Sequence, residues 1–391
     1  MIQAATILWM LMVETSPDIW AAPLTGGYET IIAAAKAGGI VLAILLAFRQ
    51  GPKTDRFNPA FAYAAMFITG LAHGLYPGLS LLSSLRSLLG SAAPFAFGFA
   101  KLPPAWCQAV IRTAIAGPAF VVIFGLCLQA AGIHPAYDFA TGALRLGGSG
   151  EPPFLAGFTL IGIYAGLLEF TAGAGRRDIV WLAVNFTILI ATGARAPLAI
   201  AAGVAAFAFF SPGAATSARA RLMGLAAAGA AVSAAVIFAS QLAFLRVFQL
   251  AEAGQAASLS HRDLVWPIFE SAFARSPWLG WGVGAGKYVL PNNDALSTAI
   301  GTNAAHNEYL RIGVEGGALG LALLIALIGL WAWRGSRNLP PPRRALMRVI
   351  FIAFALHSAT DNTLIATTSS IFFIWAAAVF ATGCQTPKPA P

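Results

Sequence analysis

Charge is scarce in this chain: Asp, Glu, Lys and Arg together make up 10% of its 391 residues, where a soluble domain carries roughly 25%. With 58% hydrophobic residues and a mean hydropathy of +0.74, the chain lacks the polar side chains to cover a water-facing surface. That excludes an ordinary soluble domain and points to a polytopic membrane protein. Cysteine is nearly absent. Cys107 and Cys127 lie in apolar runs and Cys384 in the tail, with no metal or redox spacing, so neither a disulfide framework nor thiol chemistry is expected. The Asp residues all stand singly, and no D-x-D pair exists to hold a metal-bound nucleotide sugar. A basic n-region is missing ahead of the first apolar run, so residues 2–13 read as part of a first span rather than a cleaved signal peptide. No internal repeat or inverted duplication is visible.

What is present is a series of apolar runs punctuated by Pro, Gly and charge. A helical span needs about 20 apolar residues. The runs give candidate spans near 2–13, 31–48, 59–74, 80–100, 106–131, 154–171, 179–194, 196–211, 222–241, 310–333, 349–364 and 368–382. The fold class is therefore all-α: a transmembrane helix bundle of about 12 spans with one large external helical loop. Alternate loops hold the positive charge: Arg49, Lys53 and Arg56; Lys101; Arg176 and Arg177; Arg219 and Arg221; then Arg334, Arg337, Arg343, Arg344 and Arg348. The opposite loops offer Arg145 and little else, while residues 14–30 carry Glu14, Asp18 and Glu29. The positive-inside rule then places both termini in the cytoplasm. The net charge of +9 reflects this topology and contact with membrane lipids; nucleic acid is not expected as a partner. The chain divides into three parts: residues 1–241 as a bundle of about nine spans, 242–309 as an external loop carrying part of the site, and 310–391 as C-terminal helices and a cytoplasmic tail.

Within the loop, Ser260 can cap a helix with Asp263 three residues on. Leu264, Val265, Ile268, Phe269, Ala272 and Phe273 form its apolar face, Pro267 should bend it, and Pro277 stops it. Such a helix either lies on the membrane interface or acts as a lid holding Arg262 over a site. The run "GWGVGAG" at 280–286 has no βαβ context for nucleotide binding; its glycines let the backbone turn tightly, with Trp278 and Trp281 at headgroup level. The "HNE" at 306–308 lacks the Cys-x-x-Cys that a zinc deaminase needs, so neither a metal nor another cofactor is expected.

Ionisable residues at membrane depth are costly to bury and mark function. Arg86, Arg145, Arg195, Arg262 and His306 all fall at the external side. For each arginine, snorkelling or a helix C-terminal contact competes with function; Lys36 reads as a snorkelling residue. Arg195 with Arg262 reads as an anion site, because guanidinium forks suit phosphate and are insensitive to pH. Glu308, Arg311 and Glu315 are spaced for a structural ion-pair ladder. His306, Tyr309 or Leu310, Gly313, Gly317 and Gly320 share another face, where small residues permit close approach.

The order of "GARAPLA", "HRDLVWPIFESAFARSPWLGWGVG", "AHNEYLRIGVEGGALG" and a late "HSATDNTL" resembles the O-antigen ligase and polymerase family of bacterial envelope glycosyltransferases. The likeness is most specific over about residues 190–320, with looser agreement from Arg145 to Gly148 before "PPFLAGF". It implies a GT-C-like membrane fold and transfer of a glycan from undecaprenyl diphosphate to an acceptor hydroxyl at the periplasmic face of the bacterial inner membrane, without metal. It implies that Arg195 and Arg262 handle the diphosphate and that His306 assists the attacking hydroxyl. Arg86, Arg145 and Asn307 are further candidates for binding substrate. Relatives often carry serine before the first arginine; here Ala194 stands there. The acceptor would be a lipid A–core oligosaccharide for a ligase or another lipid-linked repeat for a polymerase, with the ligase favoured. Direct attack predicts inversion at the sugar carbon. A lipid or anion transporter and an envelope scaffold are the alternatives of other classes; charges gathered at one rim, with no repeat, count against the first.

Overall fold

In the computed structural model the described residues are 1–21, 28–139, 143–173, 175–211, 262–291, 294–300, 303–365 and 367–384. The expected span 222–241, Arg219, Arg221 and the Ser260 cap lie outside them. In chain order the helices are α1 (Ile2–Glu14), α2 (Pro17–Trp20), α3 (Tyr28–Gln50), α4 (Ala60–His73) and α5 (Leu81–Ala92). After a 3-10 turn over Ala93–Phe99 come α6 (Pro104–Ala130), α7 (Pro152–Gly173), α8 (Arg176–Ala191) and α9 (Arg195–Phe210). The later helices are α10 (Arg262–Ala274), α11 (Ala295–Ile300), α12 (Glu308–Ser336), α13 (Pro341–Ser358) and α14 (Thr367–Gly383). The all-α expectation holds apart from one small antiparallel pair, β1 (Tyr137–Asp138) with β2 (Arg145–Leu146), in which Tyr137 faces Leu146.

Every apolar run expected among the described residues forms a helix, but the expected span count needs correction. Among the described residues, four helical segments are long and apolar enough to cross a membrane: Thr30–Gln50, Pro104–Ala130, Pro152–Gly173 and Glu308–Ser336. The rest fall short for local reasons. Helices α1, α4, α8 and α9 have 13 to 16 residues, about 20–24 Å at 1.5 Å per residue, against a hydrocarbon core of about 30 Å. The run at 80–100 splits: α5 is amphipathic, with Leu81, Leu82, Leu85 and Leu89 exposed and Ser84 buried, and Pro94 stands where the chain tightens into the 3-10 turn. Helix α13 opens on "PPRR".

Helices α7 and α14 are apolar all round and buried on most sides, as a helix at the centre of a bundle must be. They join α1, α3, α4 and α6 in one core that includes Trp375, Tyr63, Tyr164 and Phe158. A second core sits over residues 262–314. There Val265, Phe269 and Ala272 of α10 pack with Leu79, Ala285, Val289, Leu290, Ala305 and Val314. Much of the apolar face of α10 therefore rests on protein; Leu264 is the residue of that face that stays exposed.

Helix α12 is not continuous. Gly317 has φ 61° and ψ −168°, a conformation that favours glycine, and it kinks the helix two residues past Glu315. The break exposes backbone groups, and the "PWLGWG" segment meets them. Trp281 N–H donates to Val314 O (2.9 Å) and Gly282 N–H to Glu315 O (2.9 Å). Ala318 N–H donates to Pro277 O (2.7 Å) and Leu319 N–H to Trp278 O (3.2 Å). The approach is so close that a Cβ on Gly280 would stand 2.4 Å from Gly317 N. The two glycine-rich stretches thus complete each other's hydrogen bonds.

Candidate functional site

The chain reaches His306 held from both sides. Upstream, the Trp266 indole of α10 donates to Ala305 O (2.9 Å). Downstream, Asn307 caps α12, its Oδ1 accepting from Tyr309 N–H (3.0 Å) and Leu310 N–H (3.3 Å). Between these anchors His306 takes φ 47°, a left-handed backbone that is uncommon for a non-glycine residue. Asn307, expected as a substrate contact, spends its oxygen on the cap.

The imidazole faces the turn between α13 and α14, "HSATDNTL". His306 Nδ1 lies 3.8 Å from Asp361 Oδ1, and His357 Nε2 lies 3.5 Å from Asp361 Oδ2. His306 is 36% exposed, Asp361 34% and His357 8%, so the carboxylate bridges an accessible ring and a buried one. Burial works against the charge of Asp361, but hydrogen bonding to His306 and His357 outweighs it and holds the carboxyl below its usual range. Asn362 Nδ2 is 3.4 Å from His306 Nδ1, and its buried Oδ1 has no partner among the described residues. A half-turn of that amide would serve the other imidazole tautomer.

Arg262 reaches the same turn: its Nη2 donates to Thr360 O (2.7 Å), while its Nε is buried without an acceptor among the described residues. Burial pulls this guanidinium below its ordinary range and Asp361 opposes the effect. The turn is fixed by Ser358 Oγ against Thr363 Oγ1 (2.6 Å) and by Leu364 N–H donating to Glu308 Oε1 (2.7 Å). Glu308 belongs to the expected ladder, which is present. Arg311 bridges Glu308 (2.6 Å) and Glu315 (2.9 Å), all three side chains being no more than 5% exposed. The ladder supports the site by tying the start of α12 to the turn that carries Asp361.

Two cavities meet here. A small one of about 130 Å³ is lined by His306, His357, Asp361, Glu151, Phe154 and Tyr164, among others. A larger one of about 770 Å³ is lined by Lys36, Lys287, Asp18, Arg311, Glu315 and Ser297, among others. Glu151, Phe154 and Asn362 line both. Glu151 stands just before α7, and burial, then the charges of Asp138 and Asp18, raise its pKa.

The expected arginines divide. Arg262 joins His306. Arg195 opens α9, half-buried, and is not among the residues lining either cavity. Arg145 donates through Nε to Thr192 O (3.0 Å) at the end of α8, bracing the turn that leads to Arg195. Arg86 is exposed on α5. Lys36, read as a snorkelling residue, instead donates to Ile365 O (3.1 Å) and faces the large cavity. Asp361 and His357 carried no assigned role in the sequence, although Asp361 is the one acidic residue after Glu315. Among the described residues no group of three His, Cys, Asp or Glu side chains could hold a metal ion.

No curated protein matches the chain. A protein-family model, described as O-Antigen ligase, matches residues 179–325. That stretch contains Arg195, Arg262, His306, the ion-pair ladder and both glycine-rich segments, and it ends before Asp361. Over residues 179–325 the chain carries an O-antigen ligase domain.

Proposed function

We propose that the protein is a membrane glycosyltransferase that moves a glycan from a polyprenyl diphosphate, undecaprenyl diphosphate in bacteria, to an acceptor hydroxyl at the external face. The observation that carries this reading is the meeting of His306, Asp361 and Arg262 on one turn, beside a cavity, in a chain with an O-antigen ligase domain. His306 accepts the proton of the acceptor hydroxyl through Nε2, the nitrogen turned away from Asp361 and Asn362. The acceptor oxygen forms the new bond to the anomeric carbon. The bond from that carbon to the diphosphate oxygen breaks, and the lipid diphosphate leaves with the electron pair. Asp361 orients the ring and stabilises the imidazolium. The developing charge on the leaving group falls to Arg262, with Arg195 as its expected partner. The reaction inverts the sugar carbon and uses no metal. Both termini are cytoplasmic, and the shorter apolar helices join the four long ones in the membrane.

A ligase, with lipid A–core as acceptor, is favoured over a polymerase acting on lipid-linked repeats. The test is transfer by the purified, full-length protein from lipid-linked donor to acceptor. His306→Ala and Arg262→Ala should each lower turnover by about 10²–10³ while insertion and folding persist. Wild-type turnover by a well-folded His306→Ala protein would remove the base from the mechanism. In a deletion strain, loss of all long chains with lipid-linked polymer accumulating marks a ligase; a core bearing one repeat marks a polymerase.

A further inference from the structure

A third cavity, of about 520 Å³, lies at the other end of α12 from His306, and glycan transfer makes no use of it. It has the size of a small-molecule site. Three cations line it: Lys53 and Arg56 from the exposed loop after α3, and Arg334 from the last turn of α12. Among the described residues none of the three pairs with a carboxylate. Arg334 packs over the Phe57 ring (3.9 Å), a contact that leaves its charge in place. One acid, Asp55, lines the same space, and its Oδ2 already accepts from Trp331 Nε1–H (2.8 Å) and Asn58 Nδ2–H (3.3 Å). Those bonds also fix the loop. Asn58, fully buried, donates to Phe95 O (3.0 Å) as well. Lys53 N–H donates to Phe99 O (2.8 Å) and Lys101 N–H to Gly51 O (3.1 Å). Gly98 permits the close fit, since a Cβ there would stand 2.6 Å from Asn58 Nδ2. Beneath the cations the wall is apolar, formed by the buried rings of Phe97, Trp331 and Phe380. Snorkelling or a helix C-terminal contact explains a single arginine. Three cations around one walled space, against one committed acid, are arranged for an anion.

We propose that Lys53, Arg56 and Arg334 seat the phosphate of an anionic membrane phospholipid, whose apolar part rests on Phe97, Trp331 and Phe380. A basic pocket between helices at a membrane face suits such a headgroup, and the apolar wall below the cations suits a phosphate that carries acyl chains. A soluble phosphate ester offers the same charged group without the chains. The seat is remote from His306 and does not depend on the glycosyltransferase reading.

The experiment titrates fluorescent phosphatidylglycerol into the purified full chain in neutral detergent, with neither glycan donor nor acceptor present. Arg334→Gln should raise the Kd about tenfold, the value of one charge-assisted hydrogen bond. Lys53→Gln combined with Arg56→Gln should raise it at least as much. Because those two side chains are exposed, the double variant should keep the wild-type melting temperature, and it carries the test if Arg334→Gln, which loses its packing on Phe57, does not fold. Arg176→Gln combined with Arg177→Gln removes the same charge from an exposed loop that does not line the cavity, and should leave the Kd near wild type. Glycerol phosphate distinguishes the two sources. If it does not displace the labelled lipid from wild type, the seat needs the acyl chains and the phospholipid is its ligand. If it displaces the lipid fully at a similar affinity, the seat takes a soluble phosphate ester and the phospholipid assignment fails. Equal weakening by both double variants reduces the effect to diffuse attraction and overturns the proposal. So does an unchanged Kd in the folded Lys53→Gln, Arg56→Gln protein.

Discussion

The left-handed backbone of His306 costs a non-glycine residue about 1–3 kcal/mol, and the Trp266 hydrogen bond and Asn307 cap impose it. Asparagine tolerates that conformation but cannot serve as a base. His306→Asn should therefore keep the wild-type melting temperature and lose transfer, which separates chemistry from folding; a transferring variant would argue against proton abstraction at this position. Asp361 adds a pH signature. Its pKa is depressed in the folded state, so the stability it contributes is complete above the unfolded carboxyl value of about 4. That contribution is lost as pH falls through the lower, folded value. Thermal unfolding in detergent should show wild-type stability declining below about pH 4, and Asp361→Asn should flatten that decline. His306 and Arg262 were legible as lone polar residues at a membrane entrance. Asp361 and His357 were not, because their partner stands more than fifty residues away and only packing of α12 against α13 joins them.

At the scale of elements, α12 joins support and chemistry. Its kink at Gly317 fits the 277–282 segment backbone to backbone, and a Cβ at Gly317 would lie 2.3 Å from Trp278. Gly317→Ala should cost upwards of about 1–3 kcal/mol, read as a lower melting temperature. Gly329→Ala, with nothing within 4 Å, should be neutral or slightly stabilising. Arg311→Met strands two buried carboxylates and should cost about 3–5 kcal/mol, loosening the tether from Glu308 to Leu364; an unaffected melting temperature would contradict the ladder's role. The spacing of the ladder was readable at three and four residues. The service of "PWLGWG" to a broken helix was not, since sequence shows glycines but not which backbone groups they approach.

At the scale of the whole molecule, several of the basic residues on which the expected cytoplasmic side rests have aromatic or acidic partners. Arg334 packs over Phe57 (3.9 Å), Arg348 over Trp333 (3.5 Å), and Arg343 pairs with Glu169 (2.8 Å). In a protein whose native cysteines are replaced, Trp278→Cys should react with a membrane-impermeant thiol reagent from outside and Asn338→Cys only after permeabilisation. The reverse pattern would invert the topology and place His306 in the cytoplasm.

Composition and hydropathy by themselves determined a helical membrane protein, because so few charges leave helices in lipid as the way to satisfy the backbone. Motif order pointed to the O-antigen ligase model that matches residues 179–325, since "PWLGWG" and the His306 stretch are local. Only the tertiary structure decided which helices are long enough to span and that Lys36 looks into a cavity rather than out to a headgroup. It alone decided that the turn after α13 supplies the acid beside His306. Each of these depends on where helices kink, end and face one another, and periodicity along a single helix does not carry that information.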